Sequence, residues 1–334
     1  MQHQPVPNAV CSGDGQPRFG AYEGSFSDVD LGPVMDRDWK GLFRRIGRRK
    51  RWQYHYFATD EVMGAFAVVD LGYAANAFCY AADREGKVLY DRGFLGLAGL
   101  SVQINDRPAD GAVARFQAPG VRLSSQRVDE TYRWELETGG MQLHALVAGK
   151  GAAPALTLVA PVPGNKVNVT QKIGAWPLSG TLRIGERSFS LDGGLAGVDY
   201  TNGLLARETA WRWAFSCATI GGKPFGFNLV EGFNQGEGRE DVVWYDGKLF
   251  SLPPCRFDFD KTQTVGEWRI TSEDGKVDLT FSGFGEHREE RNLLVAKSRF
   301  IQVMGTFSGQ ITLGKKRLKL DRVLGVTEDQ EVRW

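Results

Sequence analysis

The chain lacks most of the signatures by which enzymes announce themselves. It has no apolar run near the roughly 18 residues that a membrane helix needs. Its four cysteines (Cys11, Cys79, Cys217, Cys255) are far apart, with no CxxC, and read as free thiols of a reducing compartment. The four histidines (His3, His55, His144, His287) are scattered, with no HExxH and no close Cys/His cluster, so no metal site is expected. GxGxxG opening a helix, the P-loop and GxSxG are all missing, and "GGLAG" lacks the dinucleotide-binding spacing. Nucleotide-dependent chemistry and nucleophile-elbow hydrolysis are therefore unsupported, and no cofactor is expected. Charge of one sign is also missing. Lysine and arginine total 41 against 40 acids, a net charge of +1, which argues against nucleic acid as a partner. The N-terminal "MQHQPVPNAVCSGDGQPRFG" has no apolar core of a secretory signal, and the chain reads as cytoplasmic.

Glycine and aromatics are abundant instead. There are 42 glycines, 20 phenylalanines and 9 tryptophans in 334 residues. Glycine supplies turns and bulges, and aromatics pack on pleated surfaces, so the composition is that of an all-β protein. The pattern agrees. "RWQYHYFATD", "VMGAFAVVDLG", "YAANAFCYAAD" and "KVLYDRGF" are short apolar or alternating runs separated by turn residues. In "TYRWELE", Tyr132, Trp134 and Leu136 alternate with Arg133, Glu135 and Glu137, which gives one buried face and one wet face. "YDGK" and "SEDGK" carry Asp-Gly hairpin turns. Turn signals every 8–12 residues have the spacing of a sandwich or barrel, and about eight strands per half suit two barrels or strongly bent antiparallel sheets. The expected organisation is an extended arm over 1–35, a first β domain over 36–190 and a second over 191–334.

The chemistry concentrates in "GGLAGVDYTNGLLARETAWRWAF". It places Asp199 in a glycine-rich connection, Arg207 and Glu208 after it, and then Trp211, Trp213 and Phe215 on one strand face. An acid in an apolar cavity resists ionisation and can deliver a proton. Tryptophan faces stabilise developing positive charge and stack on flat apolar ligands. The same residues also serve as an Asx-turn and a core strand. Arg207 can hold a carboxylate or polarise a carbonyl, or form a rim salt bridge. In "FGFNLVEGFNQGEGRED", Asn228 and Glu231 fall on opposite faces; Glu231 is a candidate second acid or base, or a solvated strand end. The acidic run Glu237–Asp241 reads as an exposed hairpin. His55, on the face of Gln53 and Phe57, is a candidate ligand contact or a core histidine. The basic stretch from Trp39 to Trp52 puts Trp39, Leu42, Phe43 and Ile46 at helical spacing. Such a helix either lies on an anionic membrane, a peripheral contact, or packs over a barrel mouth.

Several motifs resemble known families. "SGTLRIGERSFSLDGGLAGVDYTNG" resembles the inter-barrel segment of the double-calycin, or tandem lipocalin-like, group, which includes carotenoid hydratase, tocopherol cyclase and AttH-like proteins. In the hydratases the aspartate is followed by Arg/His-Glu-Trp; here Tyr200-Thr201-Asn202 follows Asp199. "DYTNGLLARETAWRWA", "FNLVEGFN", "EDVVWYDGKLFSL", "FIQVMGTFSG" and "LGVTEDQEVRW", with "KRWQYHYF" in the first half, resemble a bacterial and fungal family described only as a domain of unknown function. The resemblance implies two tandem lipocalin-like barrels and a pocket for an apolar ligand. Gln302 and Glu328 sit in its motifs and are expected to line the second barrel. The combined expectation is a cofactor-independent enzyme working on a hydrophobic small molecule by proton transfer, or a non-catalytic carrier of one. Asp199, Glu231 and Arg207 are its expected catalytic groups. Tyr200, Trp211, Trp213, Phe215, Asn228, Gln302 and His55 are its expected ligand contacts.

Overall fold

A computed structural model describes residues 3–35, 47–164, 166–234, 238–292 and 297–334. Almost all of that chain is antiparallel strand, in two sheets of fifteen and nine strands. The basic helix read over Trp39–Trp52 falls mostly outside the described residues. From Arg49 onward the stretch is strand, with Arg51 paired to Asp70 at 2.5 Å and Arg49 to Asp106 at 2.6 Å. Among the described residues no helix is long and apolar enough to cross a membrane.

The first sheet joins two meanders through one inserted strand. Arg49–Ala58, Val62–Asp70, Ala75–Asp83 and Val88–Gly96 form one meander, and the strands between Val102 and Ile184 form the other. Gly194–Leu204 lies between them, paired with Arg49–Ala58 on one side and Lys166–Ile184 on the other. The sheet curls until Val102–Ile104 packs back against Arg49–Ala58 and Val62–Asp70. In the second sheet Glu208–Ile220 sits centrally between Lys223–Glu231 and Lys316–Arg333, and Cys255–Phe259 curls back onto Lys223–Glu231. The chain passes from the first sheet to the second at 205–207.

Strand alternation sorts side chains into three cores. One fills the first sheet's concave face, around Phe57, Phe66, Trp134 and Tyr200. Another fills the second, around Phe227, Leu229, Trp268 and Phe307. The third lies between the two sheets, around Tyr54, Tyr56, Tyr80, Trp213, Phe215 and Val326. Strands at this junction are buried on both faces, so they read as continuous apolar runs such as "AFAVV" although the sheets are antiparallel. Glycine makes the close approach possible. A Cβ on Gly197 would lie 2.2 Å from the Phe215 ring, and one on Gly174 would lie 2.3 Å from Trp244.

Candidate active site

Two cross-strand rows face each other where the sheets meet. In the first sheet, Lys172 is directly opposite Asp199, Asp199 opposite Tyr54, Tyr54 opposite Ala67, and Ala67 opposite Phe78. In the second, Val230 is opposite Trp213, Trp213 opposite Glu328, Glu328 opposite Gln302, and Gln302 opposite His287. Residues opposite each other on adjacent strands share a face, so each row projects into the junction as a block. Between the rows is a cavity of about 320 Å³, walled by Trp52, Tyr54, Trp211, Trp213, Phe233 and Phe300, within the usual size of a small-molecule site.

Two groups of ionisable side chains line this cavity. The first is at 172, 199 and 240. Lys172 donates to Asp199 Oδ2 and lies 3.1 Å from Glu240 Oε2. Glu240 is held from behind: Asn234 donates to its Oε1, and Asn168 donates to Asn234 at 2.8 Å. Burial alone pulls the Lys172 ammonium down, but the two carboxylates outweigh it and hold the group above its ordinary range. Asp199 Oδ1 is buried and accepts no hydrogen bond.

The second group centres on Glu328. Trp211 Nε1 donates to its Oε1 at 2.6 Å, and Gln302 Nε2 donates to its Oε2 at 2.7 Å. Tyr80 donates to Gln302 Oε1, so the Tyr54–Tyr80 contact at 3.1 Å runs from the Tyr54 hydroxyl to Tyr80. Burial pushes the Glu328 carboxyl up to about 7, against the pull of the Trp211 and Gln302 bonds; the Asp199 charge adds to the rise and Lys172 opposes it. At one flank, His287 Nδ1 lies 2.5 Å from Asp91 and its ring stacks on Phe78. Among the described residues no three His, Cys, Asp or Glu side chains are grouped as metal ligands.

The residues singled out from the sequence divide by this geometry. Trp211 and Trp213 form the wall, with Trp211 stacked on Trp52 at 6.0 Å. Asp199 lines the cavity too. Instead of sitting in a connecting loop, it is mid-strand in Gly194–Leu204, and instead of being an unpaired acid it is bound to Lys172. Gln302 backs Glu328. Asn228 accepts from Trp213 Nε1 at 2.7 Å and donates to the Glu240 backbone at 2.8 Å, behind the wall. Phe215 stacks behind Trp213. Four others do not line the cavity. Tyr200 points into the first core, as adjacent residues of a strand must. His55 is in that core as well, stacked on Phe66 at 4.0 Å, and burial pulls its imidazole down to about 3. Glu231 is half-buried on the Phe227–Leu229 face, and Arg207 is exposed; neither lines the cavity. The acidic run expected as an exposed hairpin is partly buried. Glu240 is 1% exposed because Lys172 and Asn234 hold it, and Asp241 is 3% exposed and accepts the Val230 N–H at 3.1 Å. Glu237 lies outside the described residues. Sequence reading missed Lys172, Tyr54, Tyr80, His287 and Asp91. For Lys172, Tyr54 and Tyr80 the one signal is a polar or phenolic side chain inside a run otherwise fit for a core, whereas His287 and Asp91 lie in the polar stretches "GEHREERN" and "YDR" and carry no such signal.

A family model described as a domain of unknown function (DUF2804) matches residues 2–334. The chain belongs to that family. A search of curated proteins found no relative by sequence. Solved structures show the same fold at low identity. A kievitone hydratase from Nectria haematococca matches with a TM-score of 0.52 and 12% identity, covering 100% of this chain and 98% of that one. CghA with Sch210972 matches with a TM-score of 0.50 and 12% identity, covering 98% and 97%. A putative AttH from Nitrosomonas europaea matches with a TM-score of 0.50 and 12% identity, covering 86% and 92%. The two curled β units of this DUF2804 chain are thus an arrangement shared with the hydratase and AttH group that its motifs resemble.

Proposed function

We propose that the cavity between the sheets is the active site of a cofactor-independent enzyme that acts on a hydrophobic small molecule by acid–base proton transfer. The observation that carries this is Glu328: a carboxyl enclosed in an aromatic cavity and raised to about 7, so that it holds a proton near neutral pH. An acid with a pKa near the working pH is suited to protonating an alkene or an alcohol oxygen. The faces of Trp52, Trp211 and Trp213 stabilise the positive charge that develops on carbon. Asp199, bound to the Lys172 ammonium, is the charged group at the other end and accepts a proton when one is released. Hydration, dehydration, cyclisation and isomerisation all use this set, and the kievitone hydratase of the same fold supports placing the chain among such enzymes. Arg207 and Glu231 receive no role.

The test is turnover of a panel of terpenoid and polyketide alkenes and alcohols, with products read by mass spectrometry. Wild-type kcat/KM falls as pH rises through about 7, the range of Glu328. Glu328→Gln loses at least ~100-fold. Wild-type-like activity in that variant removes the assignment, and binding of panel members with no product at any pH makes the protein a carrier.

A further inference from the structure

The charged end of the cavity has an incomplete set of hydrogen bonds. Lys172 carries three N–H groups. Asp199 and Glu240 take two of them, and no third partner is found among the described residues. Beside it, Asp199 Oδ1 is buried and accepts nothing. Buried polar groups in native proteins are nearly always paired, so a free donor next to a free acceptor at a cavity end marks the place of an occupant that supplies both. The set is rigidly held. Asn168, Asn234 and Glu240 form a chain behind Lys172, and Asp199 is fixed mid-strand between two neighbours.

An alcohol or phenol completes such a set, because its oxygen accepts from Lys172 while its proton goes to Asp199. A carbonyl or an ether only accepts. A carboxylate would bring negative charge to an end where two carboxylates already outnumber one ammonium. An amine would meet the Lys172 ammonium, which its two carboxylates keep charged. We propose that the cavity takes an uncharged, hydroxyl-bearing apolar molecule, with the hydroxyl seated between Lys172 and Asp199. This rests on the cavity being the reacting site and adds the polar head of its substrate.

The probes are farnesol, its methyl ether, farnesoic acid and farnesylamine, which share one apolar skeleton. Trp52, Trp211 and Trp213 line the cavity, so quenching of their fluorescence reports occupancy of the full-length protein. At neutral to mildly alkaline pH, farnesol binds tighter than each of the other three by about tenfold or more, the scale of a hydrogen bond to a charged group or of a like-charge contact. Asp199→Asn keeps the shape and leaves Lys172 its Glu240 partner; it narrows the gap between alcohol and acid. Lys172→Gln, which removes the donor that alcohol and ether share, serves as the second variant: it weakens both and keeps the alcohol ahead of the ether, which has no proton to give Asp199. Failure of farnesol to bind, or an ether, acid or amine that matches it, overturns the proposal. Glu328→Gln keeps the preference for the alcohol. Preference without dependence of turnover on Glu328 removes only the proton-transfer assignment, and turnover dependent on Glu328 without preference removes only the hydroxyl head.

Discussion

Replacing Glu328 with glutamine removes an acid and leaves the cavity its shape, and its effect on stability has a sign that depends on pH. In the unfolded chain this carboxyl titrates near 4.5; in the fold it titrates at about 7. Below 4.5 both states hold the proton and burial of the group costs nothing extra. Between 4.5 and 7 the unfolded chain releases the proton while the fold keeps it, so stability falls as pH rises, and above 7 the full cost remains. At about 1.4 kcal/mol per unit the cost is roughly 3 kcal/mol. Glutamine avoids it, but loses one of the two bonds, because its amide meets the amide of Gln302 where the carboxylate accepted. That loss is independent of pH. The change in the difference between variant and wild type from acid to alkaline pH therefore isolates the ionisation. A chain of this length has an unfolding entropy near 0.7 kcal/mol/K, so the variant gains about 4–5 °C in thermal midpoint relative to wild type across that window. The measurement is a calorimetric or fluorescence melt of both proteins from acid to alkaline pH. Asp241, also raised to about 7, titrates in both and cancels. Parallel midpoint curves would show that Glu328 does not hold a proton near neutrality, and the acid of the mechanism would be lost with it.

Three further outcomes follow from the same contacts. Trp211→Phe keeps a ring against Trp52 but loses the N–H bond that pulls Glu328 down, so the pH limb of activity moves up by roughly a unit in a rate profile; an unmoved limb contradicts the bond. Gly197→Ala drives a methyl into the Phe215 ring and the Ile173 carbonyl, 2.2 and 2.8 Å away, and lowers the thermal midpoint by about 2–4 °C, whereas an unchanged midpoint means the sheets part easily. His287→Asn removes a charged pair. Burial pulls that imidazolium down, but Asp91 and Glu289 outweigh it and lift it to about 9, so its stabilisation is complete below 6.5 and lost as pH rises through 9. The stability gap between wild type and this variant accordingly closes on the alkaline side, and a constant gap refutes the pairing.

Strand character was legible wherever alternation was clean. The segment from Thr131 to Thr138 buries Tyr132, Trp134 and Leu136 and exposes Arg133, Glu135 and Glu137, and Asp246-Gly247 turns a hairpin with Gly247 at φ +75°. The site was legible only in half. Asp199, Trp211 and Trp213 lie within fifteen residues of one another and were read together. Their partners come from afar: Lys172 is 27 residues before Asp199, and Glu328 is 117 after Trp211. Nothing local in "NVTQKIGAWP" says that Lys172 points at an acid, because that depends on which strand Gly194–Leu204 joins. Periodicity fixes which residues share a face; it does not fix which strands are neighbours. "VTEDQEV" shows the same limit. Thr327, Glu328, Asp329 and Gln330 are all buried, although so polar a run normally marks a solvated strand end.

The distribution of polar groups along the junction separates a functional reading from a structural one. Away from the cavity the sheets meet through Tyr56, Ala65, Phe215, Met304 and Val326, which bury apolar surface and need no ionisable partner. A junction made only of such residues would hold better. Buried ion pairs give back in desolvation much of what they gain by attraction, and apolar replacements of similar volume are often neutral or stabilising. Yet Lys172, Asp199, Glu240 and Glu328 are all gathered where the sheets separate. Two of them are supported by further polar side chains, Asn234 behind Glu240 and Gln302 behind Glu328. Of these charges, Lys172 and Glu240 also join a strand of the first sheet to the chain between two strands of the second. Besides these partners, Lys172, Asp199, Glu240 and Glu328 all line the space left between the sheets, where an occupant is within their reach, and that placement supports the proposed active site over a purely structural joint.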